Sequence, residues 1–242
     1  MIYIPSVRER EFCDKEFRLY YRATPYESVH PELSSRIFAE SVRGVSEFSL
    51  IPSGGFDTII IAGDYGQVEI DFITAEEVVK TLDLAITREV GGAPAVDQGI
   101  FVVELGEETP DELAMRFSGG NQLNKIWLGY RDTIRLPTIM SEGVNGGGGG
   151  FVSDKQVVFG DPRYAYRTVS ASFDFFDSRD KRELEKYFKA VQDIKPHYIK
   201  PFDEENEFAP MYGVLLNSSL HFERLQHNRF WRGFDLQWEE AR

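Results

Sequence analysis

The sequence predicts a mainly β protein (α+β): an antiparallel β-sandwich or split barrel with one or two flanking helices. Three observations point there. QVEIDFI (67–73) alternates, with Val68, Ile70 and Phe72 on one face and Glu69 and Asp71 on the other, the period of a half-buried strand. AYRTVSASFDFF (165–176) does the same, Val169, Ala171, Phe173 and Phe175 opposing Thr168, Ser170, Ser172 and Asp174. DSRDKRELEKYFKAVQDI (177–194) then switches to helical spacing, with Leu184, Tyr187, Phe188, Val191 and Ile194 forming an apolar stripe,.

The elements follow in order. FRLYYRATPY (17–26) predicts a strand from Phe17 to Arg22, stopped near Pro25, and PELSSRIFAES (31–41) a short helix. The turn residues Ser53-Gly54-Gly55 precede the β-branched run FDTIIIAG (56–63), a strand,. Strand 67–73 comes next. Thr74 with Glu77 three residues on matches a capping box. Val78, Leu82 and Ala85 recur at helical spacing, so a helix is expected over 75–88. Residues 90–99 read as a loop and 100–105 as a strand. Thr109, Pro110 and Glu112 suggest a second capped helix over 110–117,. KIWLGY (125–130) and DTIRLPT (132–138) read as two strands joined by a tight turn, the second ending or lying at an edge because of Pro137,.

In the second half, Asp177 or Ser178 caps a helix over 179–194, with Lys181, Glu185 and Lys189 on its polar face,. Residues 195–210, with three prolines, read as a loop. MYGVLLNSSLHFERL (211–225) and RFWRGFDLQWEEA (229–241) read as strands joined around Gln226-His227-Asn228. In the last one Phe234, Leu236 and Trp238 share a face. The strand–helix order occurs twice, and Tyr65, Val68, Ile70 and Phe72 align with Tyr166, Val169, Ala171 and Phe173 at one constant offset. A duplicated unit is one reading; chance matches in alternating strands are the other.

Charge divides the chain. The net charge is −13. Nearly all the excess lies in residues 1–145, while 146–242 is close to neutral. Two parts are therefore expected: an acidic β-rich part, 1–145, and a β domain, 151–242, with a glycine-rich linker or arm at 143–150. The acidic balance argues against nucleic-acid binding, because phosphate backbones are repelled. Cys13 is the one cysteine, so no internal disulfide is expected, in keeping with a reducing compartment. The first residues lack an apolar core of signal-peptide length. No run approaches the ~18 apolar residues of a membrane span.

Reactive motifs are not evident. EGVNGGGGGFVSDKQ (142–156) has no Gly-Lys-Ser/Thr ending and no G-x-G-x-x-G spacing, so it does not match a phosphate loop. It reads as a flexible surface loop, or as an arm that orders against a neighbouring subunit. His30, His197, His221 and His227 form no close pair and read as surface or rim histidines,. Cys13 reads as a bystander thiol. DEENE (203–207) lacks the alternating ligands and glycine of a calcium loop and reads as a solvated acidic loop. No cofactor or metal is expected, and no enzymatic activity. Gly146, Gly147, Gly148, Gly149, Gly150 and Phe151, with Phe202, Phe208, Phe230 and Trp231 in or beside loops, are the candidate assembly interface,.

Residues 160–242 resemble the distal tail protein group of long-tailed bacteriophages. The likeness rests on RYAYRTVSASFDFFDSRDKRELEKYFKAV, then KPHYIKPF, then MYGVLLNSSLHFERLQHNRFWRGFDLQWEEA. The shared order is a long strand, one helix, a Pro-Phe loop and a closing strand ending in Trp-Glu-Glu. The resemblance implies a tail-tip or baseplate protein of the virion, made in the host cytoplasm. It implies a homo-oligomeric ring, expected to be a hexamer, that meets the tail tube and other tail-tip proteins. It carries over no catalytic residues. Other minor tail or tail-terminator proteins, a carbohydrate-binding β-sandwich, and a hydrolase with unrecognised carboxylates are the alternatives.

Overall fold

The computed structural model describes residues 16–29, 42–85, 99–119, 122–135, 139–145, 151–152, 158–159, 166–173, 175–192, 195–201, 210–224, 231–232 and 235–241. The chain forms two compact units. One is Arg22–Arg131; the other joins Met1–Tyr21 to Asp132–Arg242. These boundaries differ from a division at the glycine run.

The strands in the first half are β1 (Glu16–Ala23), β2 (Tyr26–Ser28), β3 (Val42–Arg43), β4 (Glu47–Pro52), β5 (Phe56–Asp64), β6 (Gln67–Thr74), β7 (Glu77–Ala85), β8 (Gly99–Glu108), β9 (Glu112–Ser118) and β10 (Gln122–Arg135). In the second half come β11 (Ile139–Asn145), β12 (Phe151–Val152), β13 (Val158–Phe159), β14 (Tyr166–Ser172) and β15 (Phe175–Phe176). Helix α1 (Ser178–Val191) follows, then β16 (His197–Pro201), β17 (Met211–Leu215), β18 (Glu223–Arg224), β19 (Trp231–Arg232) and β20 (Asp235–Glu240). A mainly β fold with a flanking helix is what the alternation in the sequence predicts.

The unit Arg22–Arg131 is built on two antiparallel sheets. One has the order β2-β4-β9-β6-β7; in the other β10 pairs with β3 and β5, and β5 with β8. Alternate residues turn inward: Phe48 and Leu50, Val68, Ile70 and Phe72, and Leu113, Met115 and Phe117 from the first sheet, Ile59, Ile61, Ile126 and Leu128 from the second. Each such side chain taken fully from water contributes about 1.5–3 kcal/mol. Tyr26 crosses the layer to donate to the carbonyl of Ile126 at 2.9 Å. Burial pushes its hydroxyl pKa up to about 12,.

Two expected helices here are strands. Residues 77–85 form β7, paired along its length with β6. Thr74 and Glu77 face each other across a two-residue turn, so they cannot form a capping box. Ala75 and Glu76 between them have φ of 51° and 66°, the left-handed pair whose twist suits a tight hairpin. The strand–helix repeat is therefore absent from this half. Residues 112–118 form β9, where Leu113, Met115 and Phe117 are buried at strand spacing. Where two strands are expected over 125–138, residues 136–138 lie outside the described residues and 125–135 belong to one strand, β10, with no turn at Arg131-Asp132. There the Arg131 amide donates to Asp57 Oδ1 at 2.8 Å. Gly129 is required in β10: a Cβ there would lie 2.2 Å from the Arg22 carbonyl oxygen. The short helix expected over 31–41 lies outside the described residues.

In the other unit the sheet order is β11-β14-β20-β17-β16-β1, each neighbour antiparallel. Helix α1 lies against it. Leu184, Tyr187 and Val191 pack with Phe17, Leu19, Val169, Ala171, Ile199, Leu236 and Trp238. Asp177 caps the helix, accepting from the amides of Arg179 and Asp180 at 2.7 and 2.9 Å. Its own amide is met by the Asp180 carboxylate. Such a cap stabilises by about 1 kcal/mol. Two further expectations change. The long strand over 165–176 ends at Ser172, and Phe175-Phe176 belong to a separate small sheet with β19 and β18. The expected loop 195–210 contains β16, whose Tyr198 and Ile199 are buried.

Candidate docking surface

The five-stranded sheet has an outer face whose composition follows from the alternation that fills its core. Because Phe48, Leu50, Ile70, Phe72, Met115 and Phe117 turn inward, the residues between them turn out. Strand register places Glu47, Arg116, Glu69 and Asp83 in one row across β4, β9, β6 and β7. Ser49, Ala114, Asp71 and Thr81 form the next. Glu112, Ile73 and Val78 follow, and Glu27 pairs with Ile51 on the other side. Arg116 pairs with the Glu69 carboxylate and, at 2.8 Å, with Asp71 Oδ2. Thr81 donates to Asp71 Oδ1 at 2.6 Å. Carboxylates outnumber this one guanidinium, so the face is electronegative.

At the end of that face stands the β6–β7 turn. Asp111 braces it from the next loop. Its carboxylate accepts from the Ala75 amide at 2.8 Å, and its amide donates to the Ile73 carbonyl at 2.9 Å. Val78 and Val79 beside the turn are 56% and 63% exposed. At the root, Lys80 pairs with Glu108 at 2.5 Å and lies 5.1 Å from the Phe72 ring centre.

Of the residues singled out from sequence, Gly146 to Gly150, Phe202, Phe208 and Phe230 lie outside the described residues. Phe151 is on β12, opposite Phe159 on β13. Trp231 is on β19, opposite Phe176 and Arg224. It is half-buried at the margin of the helix-bearing core, with the Lys181 ammonium 4.0 Å from its ring centre. The structure thus gives Trp231 a packing partner in Lys181. The acidic outer face was half visible in the sequence, through Glu69 and Asp71. Its other half was hidden because β7 and β9 read as helices.

His197 is a correction of a different kind: it is 2% exposed, not a rim histidine. The Trp238 indole donates to Tyr187 Oη at 2.7 Å, Tyr187 Oη lies 2.5 Å from His197 Nε2, and His197 Nδ1 lies 2.9 Å from the Lys195 carbonyl oxygen. With the indole as donor only and the carbonyl as acceptor only, the chain closes when His197 is neutral and protonated at Nδ1. Burial pushes the His197 pKa down to about 4 and raises that of Tyr187,. All three side chains are sealed in the core, where they fix helix to sheet and reach no solute. His221, by contrast, is exposed.

Among the described residues, no group of three or more His, Cys, Asp or Glu side chains is placed to hold a metal ion. No described helix is long and apolar enough to cross a membrane. No family model matches the chain, and no curated protein matches it.

Proposed function

We propose that this protein is a structural component of a phage tail tip, of the distal-tail kind, joining the tail tube to tip proteins by assembling as a ring in the virion. The observation that carries this reading is the element order in the helix-bearing unit. Strand β14 leads into a capped helix, then β16 and β17, and the sheet receives β20 with Trp238, Glu239 and Glu240 at its end. The resemblance rests on a long strand, one helix, a Pro-Phe loop and a closing strand; β14, α1 and β20 lie at the strand, helix and closing-strand segments, while β16 forms within the segment read as the Pro-Phe loop.

Strand edges add support. Among the described residues, β7 pairs on one side only, with β6, and β11 only with β14. Such edges offer backbone donors and acceptors to a neighbouring chain, and closed symmetry is the usual way to satisfy them. The protein's contribution is then geometry: it holds neighbours at fixed spacing and turns over no substrate.

Electron microscopy of the purified full chain, alone and mixed with the purified products of the genes flanking its own, tests this. Closed rings that stack on the tube protein are expected. A monomer that binds glycans, or one that loses a hydrolytic activity when a single Asp or Glu is changed, would overturn the reading.

A further inference from the structure

We infer that the β6–β7 tip is a preformed docking knob for a basic protein partner, one presenting an apolar pocket rimmed by Lys and Arg. This rests on reading the chain as an assembly component, and it names the chemistry of one neighbour.

Two adjacent residues of a regular strand point to opposite faces. Val78 and Val79 are nevertheless both exposed, at 56% and 63%. The register explains it: Ile73 pairs with Val78 and Phe72 with Lys80, so Val79 is the extra residue of a bulge,. Bulges of this kind re-aim side chains, and here two β-branched methyl pairs are turned to solvent together.

The tip is also fixed in advance. Ala75 and Glu76 adopt left-handed backbone, which residues with a Cβ other than Asn and Asp seldom do. Asp111 bonds both the Ala75 amide and the Ile73 carbonyl. The Lys80–Glu108 pair fastens the root. A strained turn held by its surroundings points towards function, and a rigid binding element loses little freedom on docking.

Charge selects the occupant. Glu76 and Glu77 directly precede the valines, Asp111 braces the turn, and Glu112 lies in the row of Val78, across Ile73. Among the described residues, the nearby cations Lys80 and Arg116 already face Glu108, Glu69 and Asp71. A second copy of this −13 chain meeting through the same face would set carboxylate against carboxylate. Nucleic acid and anionic lipid are repelled likewise. An apolar centre inside a charged rim is the anatomy of a protein–protein contact, and only a basic protein complements this rim.

The test uses the full chain against each flanking-gene product, purified separately, by biolayer interferometry. At least one basic product is expected to bind, with Kd rising tenfold or more between about 50 and 500 mM NaCl. The double variant Val78→Thr/Val79→Thr, which keeps β-branching, and Glu112→Lys are each expected to weaken it tenfold or more. Val29→Thr, at an exposed valine away from the tip, is expected to leave it unchanged. Unaltered thermal unfolding of the variants separates docking from folding. Binding that ignores salt, or that survives both tip variants, overturns the docking knob while leaving the assembly reading in place. If no flanking product binds, the docking knob falls, and if the chain also stays monomeric the assembly reading falls with it.

Discussion

Tyr187 Oη lies 2.5 Å from His197 Nε2 inside the helix-bearing core, and it also accepts the indole proton of Trp238. One hydroxyl therefore ties α1 to β16 and β20 at once. Its oxygen accepts and its proton is donated, so the arrangement holds for a neutral His197.

Stability should consequently depend on pH in a defined window. Unfolded, a histidine takes up its proton near pH 6.5; folded, burial holds His197 at about 4. The folded-state pKa is depressed, so the unfolded chain binds the extra proton between these values. The contribution is fully present above about pH 6.5 and is lost as pH falls towards about 4, a loss of about 3 kcal/mol. Urea unfolding across this range checks it, and His197→Gln should flatten the profile.

Tyr187→Phe removes the shared hydroxyl while keeping the ring. It strands a buried indole N–H and a buried imidazole nitrogen, at about 1–3 kcal/mol for each group. Chemical denaturation at pH 7 should show a loss of about 2–4 kcal/mol. A loss below about 1 kcal/mol would mean that the network contributes little.

The hairpin turn makes the opposite kind of prediction. Glu76 sits at φ 66°, where glycine is at no disadvantage. Glu76→Gly should stabilise the protein by up to about 1 kcal/mol, read as a raised Tm, because it relieves a left-handed residue in a turn that favours glycine at this position.

Gly129→Ala should destabilise by about 1–3 kcal/mol or more. Its Cβ would meet the Arg22 carbonyl oxygen at 2.2 Å and the Trp127 ring at 2.6 Å. Gly106, in β8, has nothing within 4 Å of that position, so Gly106→Ala is the control and should change Tm little.

The contrast between α1 and β7 explains what could be read in advance. In α1 the cap, the apolar stripe and the polar face agree with one another, and Asp177, Leu184, Tyr187 and Val191 take the expected roles. In 74–86 two periods compete. Val78, Leu82 and Ala85 fit a helix, while Leu82 and Leu84 fit a strand, and pairing with β6 decides between them. The turn itself uses Ala75 and Glu76 in place of Asn-Gly, so the commonest hairpin signal is missing. In β9 the alternation of Leu113, Met115 and Phe117 was legible, but Thr109 and Pro110 imitated a helix start. The pairing of β1 with β16 joins opposite ends of the sequence, and no local pattern encodes it. His197 was opaque for the same reason: its partners, Tyr187 and Trp238, come from other elements.

Native mass spectrometry of the purified full chain with its flanking-gene products tests the assembly role most directly. A closed homo-oligomer is expected, near six times the 27.7 kDa chain mass, that also carries tail-tube or tip protein. A particle that stays at the mass of one chain at every concentration, with all partners present, would contradict it.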